Sequence, residues 1–535
     1  MLLRLLFIVF MLQANVSFAA YYLMYLKDKG PAPTIQLSKQ NKLRHQKMNL
    51  CFDEKDQQVY APYCNLIEAE KLQIIGKSKW LNAVLVQTEM ALKICELPYP
   101  FILKIEALKP NQSVTLETKS GNYAPKLSSL PQLEMLQIDK LHAMGYNGKG
   151  RTISVFDNGF TGVDKLQAYE HLYMENRIAN TKNFVDPNRT VYEMGSDGEH
   201  GSRVFSTMAA LLPPTFTGAA YGATFNLAVT EDMTQEGILE EWNWLMAAEW
   251  ADSLGTDIIS SSLGYSANFT YGTNHKYEDM DGRTTIVSQA ANYAASRGIL
   301  VVNSAGNEAE TPWRYIVAPA DADSCLAVGA VDIYGYYASF SSEGPSYDGR
   351  TKPDIVAMGQ QTVTLLPTGL LKAGNGTSFA CPLIAGLAAC LWQVDTSLSN
   401  MDLFYLIKKS GFNSIFPDNY EGWGIPGTDS IYYWLTGNDL LPADKEEKNG
   451  LLYPNPCSGN TTLVLNNTQN DISAQIKIYD TYGKLVYNDK INLLNGNQHY
   501  QLKLAGLFLP NGMYFLHLED AFHSIILKNK LMILE

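Results

Sequence analysis

The chain has 535 residues, of which 46% are hydrophobic and 18% charged, and its formal net charge is −13. This length exceeds one ordinary domain and suggests about three or four units of globular composition. The acidic balance, with no basic patch, excludes nucleic acid as a partner, because its phosphates would be repelled.

In chain order, the first residues read MLLRLLFIVFMLQANVSFAAYY: an early Arg4, a short apolar run, and a small-residue exit at Ser17 and Ala19. That is the layout of a secretory signal peptide, here placed over residues 1–19. No later stretch approaches ~20 uninterrupted apolar residues, so the expected product is exported and soluble. From Tyr21 to about Leu108, alternating apolar runs such as YYLMYLKDK and KWLNAVLVQ flank a helical middle, which predicts a small α+β unit. Residues 109–130 are polar and broken by Pro and Gly, and mark a linker that closes a unit spanning residues 20–130.

Over residues 131–436, strand-like and helix-like runs alternate, including TISVFD, HGSRVFSTMAALL, TFNLAVT, ILEEWNWLMAAEWADSLG, DIISSSLG, TTIVSQAANYAASRG, ILVVNSAGN and CLAVGAV. Such alternation predicts crossover units and a mostly parallel sheet with helices on both faces. Ligands of such sheets sit beyond the carboxyl ends of the strands. After a charged linker at 437–450, residues 451–535 read as strands around Gly- and Asn-bearing turns, the pattern of an all-β sandwich.

Seven cysteines do not make a disulfide scaffold in a chain of this length. Cys381 and Cys390, nine residues apart on one predicted helix, lie ~13 Å apart and read as packing thiols. Cys51 and Cys64 are the pair that export would expose to oxidation, with free thiols an equal alternative.

Three polar residues stand out at element ends. Asp157 ends the strand TISVFD, where a turn-forming role is the simpler reading. His200 opens the helix HGSRVFSTMAALL, where a histidine is otherwise a surface or capping group. Ser378 lies at the mouth of GNGTSFACPLIAGLAAC, a helix apolar on every side and therefore buried. A hydroxyl there is either a cap or a nucleophile whose own N–H helps to hold a developing oxyanion.

The order aspartate, histidine, serine is one by which a serine triad is assembled. With ISVFDNG, DGEHGSRV, SSSLG, NSAGNE, FSSEGPSYDGRTKPDIVAMG and GTSFACP occurring in sequence, residues 131–436 resemble the subtilisin-like serine peptidases. The resemblance implies an α/β fold with a parallel sheet covered on both faces. It also implies a secreted endopeptidase in which Asp157 orients His200, His200 acts as base and then acid, and Ser378 attacks the scissile carbonyl. Asn307 is implied as the side-chain donor of the oxyanion hole, in preference to nearby Asn303. Ser262, Leu263 and Gly264 are implied to pair with substrate backbone. Phe379 stands where many relatives have Met, Ser202 replaces a common Thr, and Arg203 adds a charge.

No cofactor is required. No metal site is assigned: there is no H-E-x-x-H, and His142, His171 and His275 lack ligand-like spacing. Relatives often carry structural calcium, for which no carboxylate set in this sequence is assigned. The N-terminal unit occupies the place of the family's propeptide, which would inhibit the peptidase in a zymogen, the alternative being a permanent module. The tail resembles the sorting domain of type IX secretion cargo, the alternative being a carbohydrate-binding or adhesive sandwich. Protein or peptide substrates and the secretion machinery are the implied partners. The competing reading of the whole is a catalytically silent surface binding or adhesion protein that keeps the fold.

Overall fold

The apolar runs near the N-terminus pair as a sheet because each alternates sides toward a helix layer. The computed structural model describes residues 20–109, 127–440 and 451–533, apart from 32–34, 36, 90–91, 93–96, 98, 196–197, 454, 456, 458–459, 469–471, 482, 494–495 and 521–524. The expected signal peptide and most of both expected linkers lie outside the described residues. The chain divides into two compact units, one through Leu441 and one from Pro442.

The first unit begins with β1 (Ala20–Leu26), α1 (Lys39–Lys47), α2 (Ala61–Ala69), β2 (Gln73–Ser78), β3 (Ala83–Thr88) and β4 (Ile102–Leu108). The strands form an antiparallel sheet in the order β2-β3-β1-β4. One face buries Met24, Val84 and Val86 against Cys64 and Ile67 of α2. Cys64 is thus a buried core thiol, while Cys51 lies exposed beyond α1, and both are free. The disulfide between them does not form.

Short helices α3 (Leu130–Met135) and α4 (Ile138–Ala143) lead into the larger α/β region. There follow β5 (Thr152–Asp157), α5 (Glu170–Met174), β6 (Ile178–Asn183), α6 (Glu199–Ala209), the hairpin β7 (Leu211–Leu212) and β8 (Phe216–Thr217), β9 (Thr224–Val229), α7 (Ile238–Ser253) and β10 (Ile258–Ser261). Next come α8 (Ile286–Ser296), β11 (Leu300–Ser304), β12 (Cys325–Val331), β13 (Ile355–Met358), β14 (Thr362–Leu365), β15 (Leu371–Gly374), α9 (Thr377–Val394), α10 (Asn400–Lys409) and α11 (Thr428–Thr436).

Seven strands make one sheet in the order β13-β12-β11-β10-β5-β9-β6, with every pair parallel. The core on one face centres on α6 and α9, and that on the other on α7 and α8. Helix α9 carries Ala, Gly, Leu and Cys on all sides because its neighbours surround it. Cys381 and Cys390 are both fully buried there, and their thiols donate to backbone carbonyls.

The N-terminal sheet packs on the outer side of α7 and α8. Leu23, Trp80, Leu85 and Leu108 join Trp242, Val287 and Ala291 in one cluster. Charge completes the contact. Glu249 of α7 accepts hydrogen bonds from Ser78 Oγ (2.6 Å) and from the Lys79 and Trp80 amides (3.2 and 3.0 Å). Asp252 pairs with Arg44 and with Lys79 Nζ at 2.8 Å, and Arg297 pairs with Asp53 and Asp56. Buried carboxylates survive here because each has several donors.

The second unit holds β16 (Leu451–Tyr453), β17 (Asn460–Thr468), β18 (Ile472–Tyr479), β19 (Leu485–Leu493), β20 (Gly496–Lys503), β21 (Gly512–Asp520) and β22 (Ile525–Ile533). Sheets ordered β16-β17-β20 and β19-β18-β21-β22 share one apolar core, including Leu463, Ile476, Leu502, Leu516 and Leu531.

Candidate active site

Parallel register brings the carboxyl ends of β5, β10 and β11 level, with Phe156 opposite Ser261 and Ser261 opposite Asn303. Chain leaving these ends supplies one side of a cleft, and the mouths of α6 and α9 supply the other. Asp157 is fully buried at the end of β5. Its Oδ1 accepts the Asn158 N–H at 2.8 Å and the Nδ1–H of His200 at 2.7 Å, so the turn-forming and charge-pairing roles coexist in one oxygen. The ionised carboxylate can only accept, which places the ring proton on Nδ1 and leaves Nε2 facing away from Asp157.

Burial pushes the His200 imidazole toward lower pKa, but the charge of Asp157 and its hydrogen bond outweigh burial, so the net value lies above the ordinary histidine value. Helix α6 must lie almost on top of β5 for this contact. Gly201 allows it: a Cβ there would sit 2.1 Å from the Gly159 carbonyl oxygen and 3.0 Å from Asp157 Cγ, and the Gly201 N–H donates to Asn158 Oδ1 at 3.0 Å. Gly201→Ala is therefore expected to push the helix outward. Peptide hydrolysis should fall by at least about 100-fold and stability by about 1–3 kcal/mol, read by turnover and thermal melts.

Ser378 is the second residue of α9, so it is not the helix cap; that position belongs to Gly376. A Ser, Asp or Asn at the cap would consume the free amides of the first turn. Gly376 has no side chain to compete for the Ser378 amide, while the Thr377 and Phe379 amides go to Asn307 Oδ1 and the Gly376 carbonyl (2.9 and 3.1 Å); the Gly376 φ of +155° suits glycine. A Cβ on Gly376 would lie 2.7 Å from Ser378 Oγ and 3.7 Å from Asn307 Nδ2. These two polar atoms thus border the same small volume. The Phe379 ring sits against His200, with ring centroids 6.1 Å apart, and Arg203 covers the Phe379 face at 4.9 Å.

Asn307 and Asn303 differ sharply. Asn303 is buried, with Nδ2 bound to the carbonyls of Leu263 and Ser304, both at 2.8 Å. Asn307 is exposed, and its Oδ1 accepts from the Thr377 amide (2.9 Å) and hydroxyl (3.0 Å), so Nδ2 is left to donate. Thr377 is a positioning residue that the motif reading left without a role.

Ser262 is another. Pro382 lacks the N–H that would bind the Ser378 carbonyl four residues earlier, and the Ser262 hydroxyl donates to that carbonyl instead, at 2.8 Å. Pro382 therefore lies beyond the helix's first turn, with its missing bond made good from outside. Leu263 is half-buried and Gly264 exposed, beside the cleft. Behind the site, Glu231 accepts from Tyr265 Oη (2.7 Å) and Thr230 Oγ1 (2.8 Å). Burial pushes its pKa up to about 7 against those two bonds. Its position two residues past the end of β9 gave no motif signal. Among the described residues, no group of three or more His, Cys, Asp or Glu could hold a metal ion.

A seven-stranded parallel sheet with helices on both faces, carrying these groups beyond its strand ends, defines a three-layer α/β architecture with its cleft at the carboxyl edge of the sheet. The family model described as the subtilase family matches residues 148–424, just over half the sequence, and the chain belongs to that family. It is a secreted serine endopeptidase of the subtilisin type. A Peptidase S8 propeptide domain of the Bacteroidota matches residues 21–122, and a secretion system C-terminal sorting domain, of the type IX class, matches residues 451–533. Subtilisin E of Bacillus subtilis (strain 168) is 29% identical over 300 residues, covering 55% of this chain and 70% of its own. Subtilisin of Bacillus pumilus is 29% identical over 271 residues, covering 50% of this chain and 86% of its own. The crystal structure of the epidermin leader peptide processing serine protease from Staphylococcus aureus superposes with a TM-score of 0.54 at 16% identity. It covers 80% of this chain and 100% of that one, and shares the fold.

Proposed function

We propose that this peptidase cleaves peptide bonds through an Asp157, His200 and Ser378 triad and an acyl-enzyme intermediate. The observation that carries the reading is the 2.7 Å bond from His200 Nδ1 to the buried Asp157, which leaves Nε2 as the ring's only basic atom. Ser378 Oγ attacks the scissile carbonyl carbon as His200 Nε2 takes its proton. The resulting oxyanion accepts from Asn307 Nδ2 and the Ser378 N–H. The C–N bond then breaks as His200 returns the proton to the departing amine, leaving an ester on Ser378. Water, deprotonated by His200, attacks that ester and releases the new carboxyl end. Ser262, Leu263 and Gly264 pair with the substrate backbone as an added strand. No organic cofactor takes part.

The N-terminal unit acts as an inhibitory propeptide. Its last strand runs on to Lys109, whose carbonyl accepts from the Gly272 N–H of the peptidase region at 2.9 Å. The tail serves the secretion machinery, and the enzyme works outside the cell or on its surface.

A fluorophosphonate probe tests the reading. Labelling of the active form that vanishes in Ser378→Ala supports it, and no labelling of the unaltered active form favours a silent binding protein. The pH profile is a separate test. His200 must be neutral to accept a proton, and Asp157 holds it protonated to higher pH than usual. Thus kcat/KM is expected to fall as pH drops through an apparent pKa above the ordinary value of about 6.5. An acid limb centred below that value contradicts the pairing.

A further inference from the structure

The groups assigned above fix where a scissile carbonyl lies, and so where the preceding side chain must enter. With Ser262–Gly264 taken to hold the substrate backbone and Asn307 its oxyanion, that entry is flanked by the segments Ser262–Gly264 and Ala305–Asn307, which run out from the adjacent strands β10 and β11. Each segment presents a glycine to the gap. A Cβ on Gly264 would come 2.1 Å from Val317 Cγ2, and a Cβ on Gly306 would come 3.0 Å from that same atom and 3.3 Å from Val317 Cγ1. A single isopropyl group therefore touches both segments and fills the depth between them.

Val317 is not free to swing aside. Its N–H donates to the Ala305 carbonyl of one segment at 3.2 Å, and its own carbonyl accepts from Ala320 at 2.9 Å. The next residue, Ala318, exchanges two backbone hydrogen bonds with Tyr265, which directly follows Gly264, at 3.1 and 2.8 Å. Both walls are thus stitched to the strip that carries Val317, and the side chain is only 3% exposed. Glycine on the walls makes room for a side chain to slide in, while valine at the bottom stops it after one or two carbons.

We infer that Val317 is the floor of the pocket for the residue before the scissile bond, and that this peptidase cuts after small residues such as alanine and serine. The inference rests on the triad and oxyanion reading given above. A phenylalanine or lysine side chain would have to displace a branched group anchored on both sides, and close-packed interiors resist added carbons.

The test uses the full chain, expressed with export, and the active form that it yields. Peptides differing only at the residue before the cleaved bond (Ala, Ser, Leu, Phe or Lys) are compared by kcat/KM. Alanine is expected to exceed phenylalanine and lysine by about 100-fold or more, since even one methylene is discriminated by roughly 10- to 200-fold in an apolar pocket. Val317→Ala and Val317→Gly should each raise the phenylalanine value by at least about 10-fold relative to alanine. If the glycine variant does not fold, the alanine variant and the unaltered enzyme still decide the matter. A preference of the unaltered enzyme for phenylalanine, leucine or lysine overturns the inference while leaving the triad intact. An unchanged ratio in a Val317→Ala enzyme that still takes the fluorophosphonate label does the same. Absence of both labelling and hydrolysis in the unaltered active form removes the triad reading and the pocket together.

Discussion

Ser378→Ala is expected to lower turnover of a peptide substrate by about 10⁶, the scale found for the nucleophile of subtilisin itself and borrowed from it. The reason lies in how little else changes. The hydroxyl is the only atom removed, Gly376 still has no side chain to compete for the amide of residue 378, and Thr377 still holds Asn307 with its amide nitrogen free. Residual hydrolysis, measured by product release, would come from binding and the oxyanion donors alone. The melting temperature should stay within a few degrees, because the hydroxyl is not the helix cap. A variant that kept more than about a hundredth of the activity would mean that another group attacks the substrate.

Asp157→Asn is expected to reduce kcat by about 10⁴, again the scale of related triads. The mechanism is electrostatic. The carboxylate is fully buried and its Oδ1 holds His200 Nδ1. During attack the ring becomes positive, and a neutral amide at residue 157 gives that charge no counterpart at the buried Nδ1 side of the ring. The variant also carries a signature that a merely structural defect lacks. With the anion gone, burial is left to push the His200 pKa down, so the acid limb of the pH profile should move to lower pH even as its plateau collapses. Unchanged limbs would show that residue 157 does not set the ring's titration.

Much of this site was legible before any coordinates. Asp157 ends a run of apolar β-formers, His200 precedes a helical pattern, and Ser378 opens a helix too apolar to be anything but buried, so strand and helix periodicity alone put the three at element ends. What escaped the sequence is whatever depends on meeting partners far along the chain. The bond from Ser262 to the Ser378 carbonyl spans 116 positions, and that from Thr377 to Asn307 spans 70. Strand β6 was missed because it lies at the sheet edge, where four consecutive residues of IANTKN are exposed and no alternation is required. The choice between a Cys51–Cys64 pair and free thiols stayed open for a similar reason: spacing says nothing about one thiol facing a core and the other facing water. Val317, in an unremarkable apolar run, gains its meaning only from the two glycines that it touches.

The substitute bond at Pro382 has a mechanical outcome. A helix normally closes on its own carbonyls, but here the Ser378 carbonyl is tethered by a 2.8 Å link to Ser262, which directly follows β10. The first turn of α9 is thereby anchored to the end of the parallel sheet, so the place of residue 378 is set by a neighbouring strand as well as by its own helix.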